Sequence, residues 1–429
     1  MTSTLSETII REVTSYRLPD LPIDAEMVAP HYAGLGIANI PASIANWLGL
    51  EIPSISALDR RIAGKFAPAY HQVILLVVDA LGWEQFQRLS QFDTPENELL
   101  ARLVPAGNVF PLTSVVPSTT SAALTTYWTG VTPSTHGITG YEMWMQEYGV
   151  VANMILQTPA SFLFGPGNLA SAGFTPDQFL NMPALGTVFK KQGVASYAFQ
   201  PEAINGSGLS QSLLASVESL PYAGLPGLWQ TLEHMLAQPA SRTRYFYIYW
   251  PNLDGWQHMY GPDDDHIREE YFIFMREMLR FLELARRNGR GDTLLLLTAD
   301  HGMLPTARPP EAEIRRYPEL LSMLHLLPTG EARMPYLYLK PGCEQKALGL
   351  IETLFPGQFI PVDSQKAVDS GLFGPPPYHP QLITRLGDVI LLARDNHFLY
   401  WQNKENMMNG RHGGMSRQEM LVPLLILPI

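Results

Sequence analysis

Asp254-Gly-Trp-Gln-His258 sets a carboxylate and an imidazole four residues apart. One turn of helix brings such a pair onto one face, where both can hold a single ion. Asp300-His301 repeats the two side-chain types as neighbours, and Gly302 after them lets backbone approach closely. Far downstream, Gly410-Arg411-His412-Gly413-Gly414 places a histidine among glycines. A further acid, Asp79, closes the apolar run ILLVV. Carboxylate oxygens and imidazole nitrogens without a thiolate suit Zn²⁺, with Mn²⁺ or Fe²⁺ as alternatives. Any one of these histidines alone reads as a surface or capping residue, whereas the set reads as a metal centre.

A nucleophile has its own candidate stretch. Pro117 precedes Ser118, Thr119 and Thr120, which crowd the first turn of a small, hydroxyl-rich segment able to start a helix. A hydroxyl there lies beside free backbone N–H groups and the positive end of the helix dipole. That suits an alkoxide and the phosphoryl group it would attack. Plain helix capping is the competing reading of the same three residues.

The elements that must position these residues repeat one grammar. Val73 to Val78 is an unbroken apolar run, as expected of a strand buried on both faces, and it ends at Asp79. Glu84 to Leu89 can then begin a helix. Tyr245 to Tyr249 is strand-like and ends shortly before Asp254, and Leu294 to Thr298 ends before Asp300. Between them, Asp263, Asp264 and Asp265 make a helix start, with acids where the dipole favours them. Ile267, Tyr271, Phe274, Met275, Met278, Leu282 and Ala285 keep helical spacing, and Arg286, Arg287 and Gly289 form the stop. Strands alternating with helices imply a mostly parallel sheet covered on both faces, a three-layer α/β/α domain. Functional side chains gather beyond the carboxyl ends of such strands, where the three acids fall. Residues 1–70 read as an irregular lead-in packed on the core. Residues 71–429 form the catalytic domain, with a proline-rich capping insertion at about 303–380. The segments 387–392 and 421–427 return to strands.

Composition removes several classes. Lys and Arg number 29 against 40 Asp and Glu, a net charge of −11, the wrong sign for a surface that displaces counterions from nucleic acid. The single cysteine, Cys343, excludes an internal disulfide framework and a cysteine-based zinc finger. No apolar run approaches the roughly 18–20 residues that span a bilayer. The amino terminus lacks a basic start followed by an apolar core, so a cytoplasmic protein without a membrane partner is expected. There is no GxxxxGK[ST] loop.

Taken together, VVDALG, PSTTSAALTTYWTG, THGITG, DGWQHMYGP, TADHGM and RHGG resemble the alkaline phosphatase superfamily. Within it, the closest pattern is the type I phosphodiesterase/nucleotide pyrophosphatase family. The resemblance runs from about Val73 to Pro428. It implies an alkaline-phosphatase-like fold and two divalent ions. Asp254, His258 and His412 would hold one. Asp79, Asp300 and His301 would hold the other, with Thr120 bridging toward it. Counting back from Thr129-Gly130, the family's nucleophile falls on Thr120, with Thr119 as the alternative. An asparagine that family members often carry three residues after the nucleophile is replaced here by Ala123, which has no donor. The implied activity is hydrolysis of a phosphodiester or nucleotide pyrophosphate bond through a phospho-threonine, on a small phosphorylated substrate such as a nucleotide. A phosphomonoesterase or phosphonate hydrolase on the same fold is the alternative, and a non-catalytic binding protein the third reading. His136 is expected to be structural.

Charge favours the diester. The stretch from Pro117 to Tyr141 contains no Lys or Arg, whereas enzymes that take dianionic monoesters add a cation beyond the metals. Tyr127, Trp128, Tyr141 and Trp144 are candidate walls for an aromatic leaving group, with Tyr141 as the substrate-binding candidate. Arg308, Arg315 and Arg316 of the insertion could supply the missing cation.

Overall fold

Runs of Val, Ile, Leu and aromatic residues too short for helices and flanked by turn residues have one low-energy outcome here, a sheet buried on both faces. The computed structural model describes residues 4–52, 55–160, 169, 173–175, 179–239, 242–288, 291–402 and 405–429. Gly289, the expected helix stop, lies outside the described residues.

The main sheet has seven strands. Across it run Val109–Thr113, Leu421–Pro428, Thr293–Thr298, Gln72–Val78, Arg244–Trp250, Ala195–Pro201 and Glu218–Tyr222. Five adjacent strands, from Thr293–Thr298 to Glu218–Tyr222, are parallel, and Leu421–Pro428 runs against both of its neighbours. The central three strands are entirely buried. One helical layer comprises Pro95–Leu103, Leu225–Ala237, Asn252–Tyr260 and Asp265–Asn288; another comprises Ile40–Trp47, Thr120–Thr129, Leu185–Lys191 and Gly208–Leu213. The fold is thus the expected α/β/α arrangement with a mostly parallel sheet. In the amino-terminal segment, the Leu5–Ser15 helix buries Ile9 and Val13 in the main core.

In-register pairing fixes where chemistry can occur. Val78 lies opposite Trp250, and Val77 opposite Thr298. Asp79, Asp254 and Asp300 therefore leave the sheet at one edge. A second seven-stranded sheet, wholly antiparallel, stands over that edge. It draws on Thr329–Glu331, Met334–Leu337 and Phe359–Asp363, and also on Glu142–Met145, Val150–Asn153, Thr158–Pro159 and Val389–Ala393. The strand expected near 387–392 joins this second sheet, not the main one. Among the described residues, no helix is long and apolar enough to cross a membrane.

Candidate active site

The residues marked by spacing converge in space. Asp254 and His258 share one face of the Asn252–Tyr260 helix, with His258 Nε2 3.3 Å from Asp254 Oδ1. His412 reaches the same oxygen at 3.7 Å. In the second group, His301 Nε2 lies 3.5 Å from Asp79 Oδ1 and 3.4 Å from Asp300 Oδ2. Both triads have the compactness to hold a metal ion.

Each imidazole is aimed by a backbone carbonyl. His258 Nδ1 bonds Gly410 O at 2.9 Å, His301 Nδ1 bonds Gly302 O at 3.0 Å, and His412 Nδ1 bonds Ser118 O at 3.1 Å. A carbonyl only accepts, so Nδ1 carries the proton and the Nε2 lone pair is left facing the carboxylates. The acids are divided in a complementary way. Asp300 Oδ1 accepts the N–H groups of Ala80 and His301, and Asp79 Oδ2 accepts the Tyr249 hydroxyl. Asp79 Oδ1, Asp300 Oδ2 and Asp254 Oδ1 are buried and have no partner. Three orphaned carboxylate oxygens facing three unprotonated ring nitrogens fit two divalent ions, with the outer hydrogen bonds such ligands need already made. Burial, together with the charges of Asp300 and Asp254, holds the Asp79 carboxyl well above the usual range. Burial beside His301 and His258 holds the His412 ring well below its ordinary value, so it is neutral and able to ligate.

Thr119 is the N-cap of the Thr120–Thr129 helix, and Thr120 is its first residue. The Thr120 hydroxyl donates to His301 Nε2 at 3.2 Å. The Thr119 hydroxyl instead lies toward the Glu331 carboxyl. Ser118 braces the histidine loop: its hydroxyl donates to Gly414 O at 2.8 Å and accepts from Gly413 N at 3.2 Å. A buried Arg333–Glu419 pair, 2.7 Å apart, receives the Gly414 N–H on Glu419 Oε1 at 2.8 Å. Gly302 is required for space, since a Cβ there would meet Gln418 O at 1.9 Å. Gly413, at φ +103°, sits with the Glu331 side chain where its Cβ would be.

Asp254, His258 and His412 open on a cavity of about 250 Å³ bounded also by Thr119, Thr120, Tyr141, Glu331, Tyr400, Trp401, Gln402 and Arg411, whereas Asp79, Asp300 and His301 are buried and meet it through Thr120, which bonds His301. A larger hollow of about 800 Å³ lies at the opposite end of the strands, against Gln72, Arg244 and Thr293, away from both triads. Tyr141, the substrate-binding candidate, lines the 250 Å³ cavity. Ala123 is buried in the helix and offers no donor. Tyr127 and Trp128 are core: the Tyr127 hydroxyl bonds Ala299 O at 2.8 Å, and Trp128 packs on Tyr245 and Tyr247. His136 is buried apart from both triads, bonded to Thr126 and to the Ile138 N–H. Arg308 and Arg315 line an adjoining hollow, and Arg316 is exposed.

Two residues of the cavity had no sequence signal strong enough to find them. Glu331, from the second sheet, accepts the Tyr141 N–H at 2.7 Å, and burial pushes its carboxyl up to about 8 against the pull of the Thr119 hydroxyl and the Tyr141 N–H. Arg411 was legible only as a neighbour of His412.

Hydrolysis of phosphoester bonds on a metal-dependent alkaline-phosphatase-like fold is the class that this sheet and these strand-end ligands define. The chain belongs to the type I phosphodiesterase/nucleotide pyrophosphatase family, whose model matches residues 73–415. It is a hydrolase acting on phosphoester bonds. Its fold is similar to that of human ectonucleotide pyrophosphatase/phosphodiesterase 5, with a TM-score of 0.58 and 14% identity over 83% of this chain and 87% of that one. The murine protein gives 0.57 and 16% over 82% and 87%, and an inactive form of it was solved in complex with AMP. Phosphonoacetate hydrolase from Sinorhizobium meliloti 1021, in complex with phosphonoformate, gives 0.56 and 16% over 82% and 89%. No curated protein sequence matches significantly.

Proposed function

We propose that this chain cleaves a phosphodiester or nucleotide pyrophosphate bond through a phospho-threonine formed on Thr120. The observation that carries the reading is the facing of the orphaned Asp79, Asp254 and Asp300 oxygens toward the three Nε2 atoms. Asp254, His258 and His412 are assigned to one ion, and Asp79, Asp300 and His301 to the other, with Thr120 toward the second. An all-oxygen-and-nitrogen set with no thiolate favours zinc. Two such ions, when bound, lower the pKa of a hydroxyl and stabilise a leaving oxygen.

The chain's own residues do the rest. Thr120 Oγ1 loses its proton and forms a bond to phosphorus as the bond to the leaving oxygen breaks. The leaving oxygen departs with that proton; water then attacks phosphorus from the side opposite Thr120, the bond from phosphorus to Oγ1 breaks, and a proton of that water restores the hydroxyl. Thr120, the first residue of its helix, is held toward the Asp79 group by its bond to His301 Nε2. The three carboxylates, set against two divalent cations, leave the centre net positive, which suits a phosphoryl group in an acidic protein. Tyr141 and Trp401 give the cavity an aromatic wall, which suits an aromatic leaving group.

A substrate panel after metal reconstitution tests this: an aryl phosphodiester, the matching monoester and a dinucleotide. The diester or dinucleotide should give the higher kcat/KM. A monoester preference would replace the reading with the phosphomonoesterase one. Turnover of phosphonoacetate in preference to all three would replace it with phosphonate hydrolysis.

A further inference from the structure

Among the described residues lining the metal cavity, Arg411 is the one Lys or Arg. It is 4% exposed. Its guanidinium lies 4.1 Å from the centre of the Phe398 ring and 5.7 Å from that of Tyr400. Its polar contacts are to neutral groups, Nη1 to Met408 Sδ at 3.3 Å and Nη2 to Asn406 Oδ1, and Nε is buried without a partner.

Of the other buried arginines, Arg244 also lacks a carboxylate but donates to two main-chain carbonyls, Met235 O at 2.6 Å and Gln238 O at 3.3 Å, and the remaining two are ion-paired. Arg333 is paired with Glu419 at 2.7 Å, and Arg385 with Glu147 at 2.9 Å. Among the described residues no carboxylate pairs with Arg411. A buried guanidinium without an anion is costly, and aromatic faces compensate only part of that cost. An anion arriving in the cavity would supply the remainder.

The direction of the side chain says which part of a substrate could do so. His412 turns its ring to Asp254, whereas Arg411 runs to Phe398 and Tyr400. Metal ligands and Thr120 serve the transferred phosphoryl group, so Arg411 is left for what extends beyond it. Tyr400 and Gln402 also border the adjoining hollow of about 730 Å³. That hollow carries both signs, Arg308 and Arg315 with Glu313 and Glu405, so it sets no preference of its own.

We infer that Arg411 binds an anionic oxygen group, a carboxylate or a second phosphate, carried on the leaving side of the substrate. This rests on the reading of the cavity as a phosphoester hydrolase site. The preferred substrates then bear one negative charge more than a plain diester, placed away from the scissile phosphorus.

The test compares methyl aryl phosphates that share one transferred group. Their 4-nitrophenyl leaving groups carry a carboxamide, a carboxylate or a phosphonate at one ring position. Rates are corrected for leaving-group reactivity by alkaline hydrolysis. The wild-type enzyme should favour an anionic substrate over the carboxamide by about 10–100-fold in kcat/KM, chiefly through KM, as charged hydrogen bonds do. The larger of the two ratios names the headgroup. In Arg411→Gln the ratio should fall toward one, and Arg411→Lys should keep part of it. Elemental analysis and a melting curve report whether each variant is folded and loaded. A wild-type ratio of one or less, with the carboxamide turned over, overturns the inference and leaves the hydrolase reading standing. A large ratio that survives in folded Arg411→Gln also overturns it. Turnover of none of these diesters, nor of the wider panel, takes down the hydrolase reading and this inference with it.

Discussion

The imidazoles of His301 and His412 lie face to face, with ring centres 3.8 Å apart and planes 18° apart, although each belongs to a different Asp/His triad. Burial and the neighbouring His301 and His258 rings hold the His412 ring in its neutral form. Neutral rings are the ligating form. The two ion sites therefore share a wall. Wild-type protein purified without chelator should carry two divalent ions per chain. His412→Ala should retain about one and should also bind that one less tightly, because the His301 ring loses its support. Elemental analysis and competition with a chromogenic chelator check both statements. Full occupancy in the variant would return His412 to the role of a turn residue.

The hydroxyls of Thr119 and Thr120 are adjacent in sequence but face different partners, Glu331 and His301. Thr120→Ala should lose on the order of 10⁴–10⁶-fold in kcat with metal content retained, the scale of a lost covalent nucleophile. The Thr119 side chain makes no capping bond to the helix, and Thr119→Ala should keep metal content with a much smaller loss of rate. Rapid-quench labelling from a ³²P-substrate should trap phosphate on wild type and none on Thr120→Ala. The reverse pattern would move the nucleophile to Thr119.

The legible part of the molecule was the part governed by local rules. Asp79 and Asp300 could be placed at strand ends because ILLVV and LLLLTA are unbroken apolar runs. Asp254 and His258 could be placed on one face because four residues is one helical turn. The 265–288 helix announced itself by spacing, with Tyr271, Met275, Met278 and Leu282 all buried. The second sheet depends instead on pairings such as Gly330 with Glu142, far apart in the chain. Its strands are short, and no local pattern says which partner they will take. Glu331 came with that sheet and was therefore missed. Tyr127 and Trp128 looked like candidate walls because aromatic residues serve a core and a cavity equally well. Only the rotation of the Thr120–Thr129 helix decides between them.

The Tyr249 hydroxyl fixes one oxygen of Asp79 and leaves the other facing the triad. Outer hydrogen bonds of this kind hold a ligand's orientation. Tyr249→Phe keeps the ring and removes the bond. Affinity for the ion of the Asp79 group should fall about 10–100-fold, while the Asp254 group binds as before. Titration of metal-free protein should then show two separated affinities in place of the wild-type pattern. An unchanged isotherm would make Tyr249 a core residue only.

Glu331 gives a pH signature. Burial raises its carboxyl from the ordinary 4.5 to about 8. The folded state thus binds this proton more tightly than the unfolded state. Its contribution to stability is fully present below about pH 4.5 and is lost as pH rises through about 8. In Glu331→Gln the amide stays neutral, can still accept the Tyr141 N–H, and does not titrate. Measured with chelator, so that metal occupancy does not change with pH, the wild-type melting temperature should drop relative to the variant's between pH 5 and pH 8 by about 1–2 °C, roughly the shift that 1–2 kcal/mol gives in a chain of this size. Parallel curves over that range would mean that Glu331 is ionised in the folded protein and that its contacts with Thr119 and Tyr141 are those of a carboxylate.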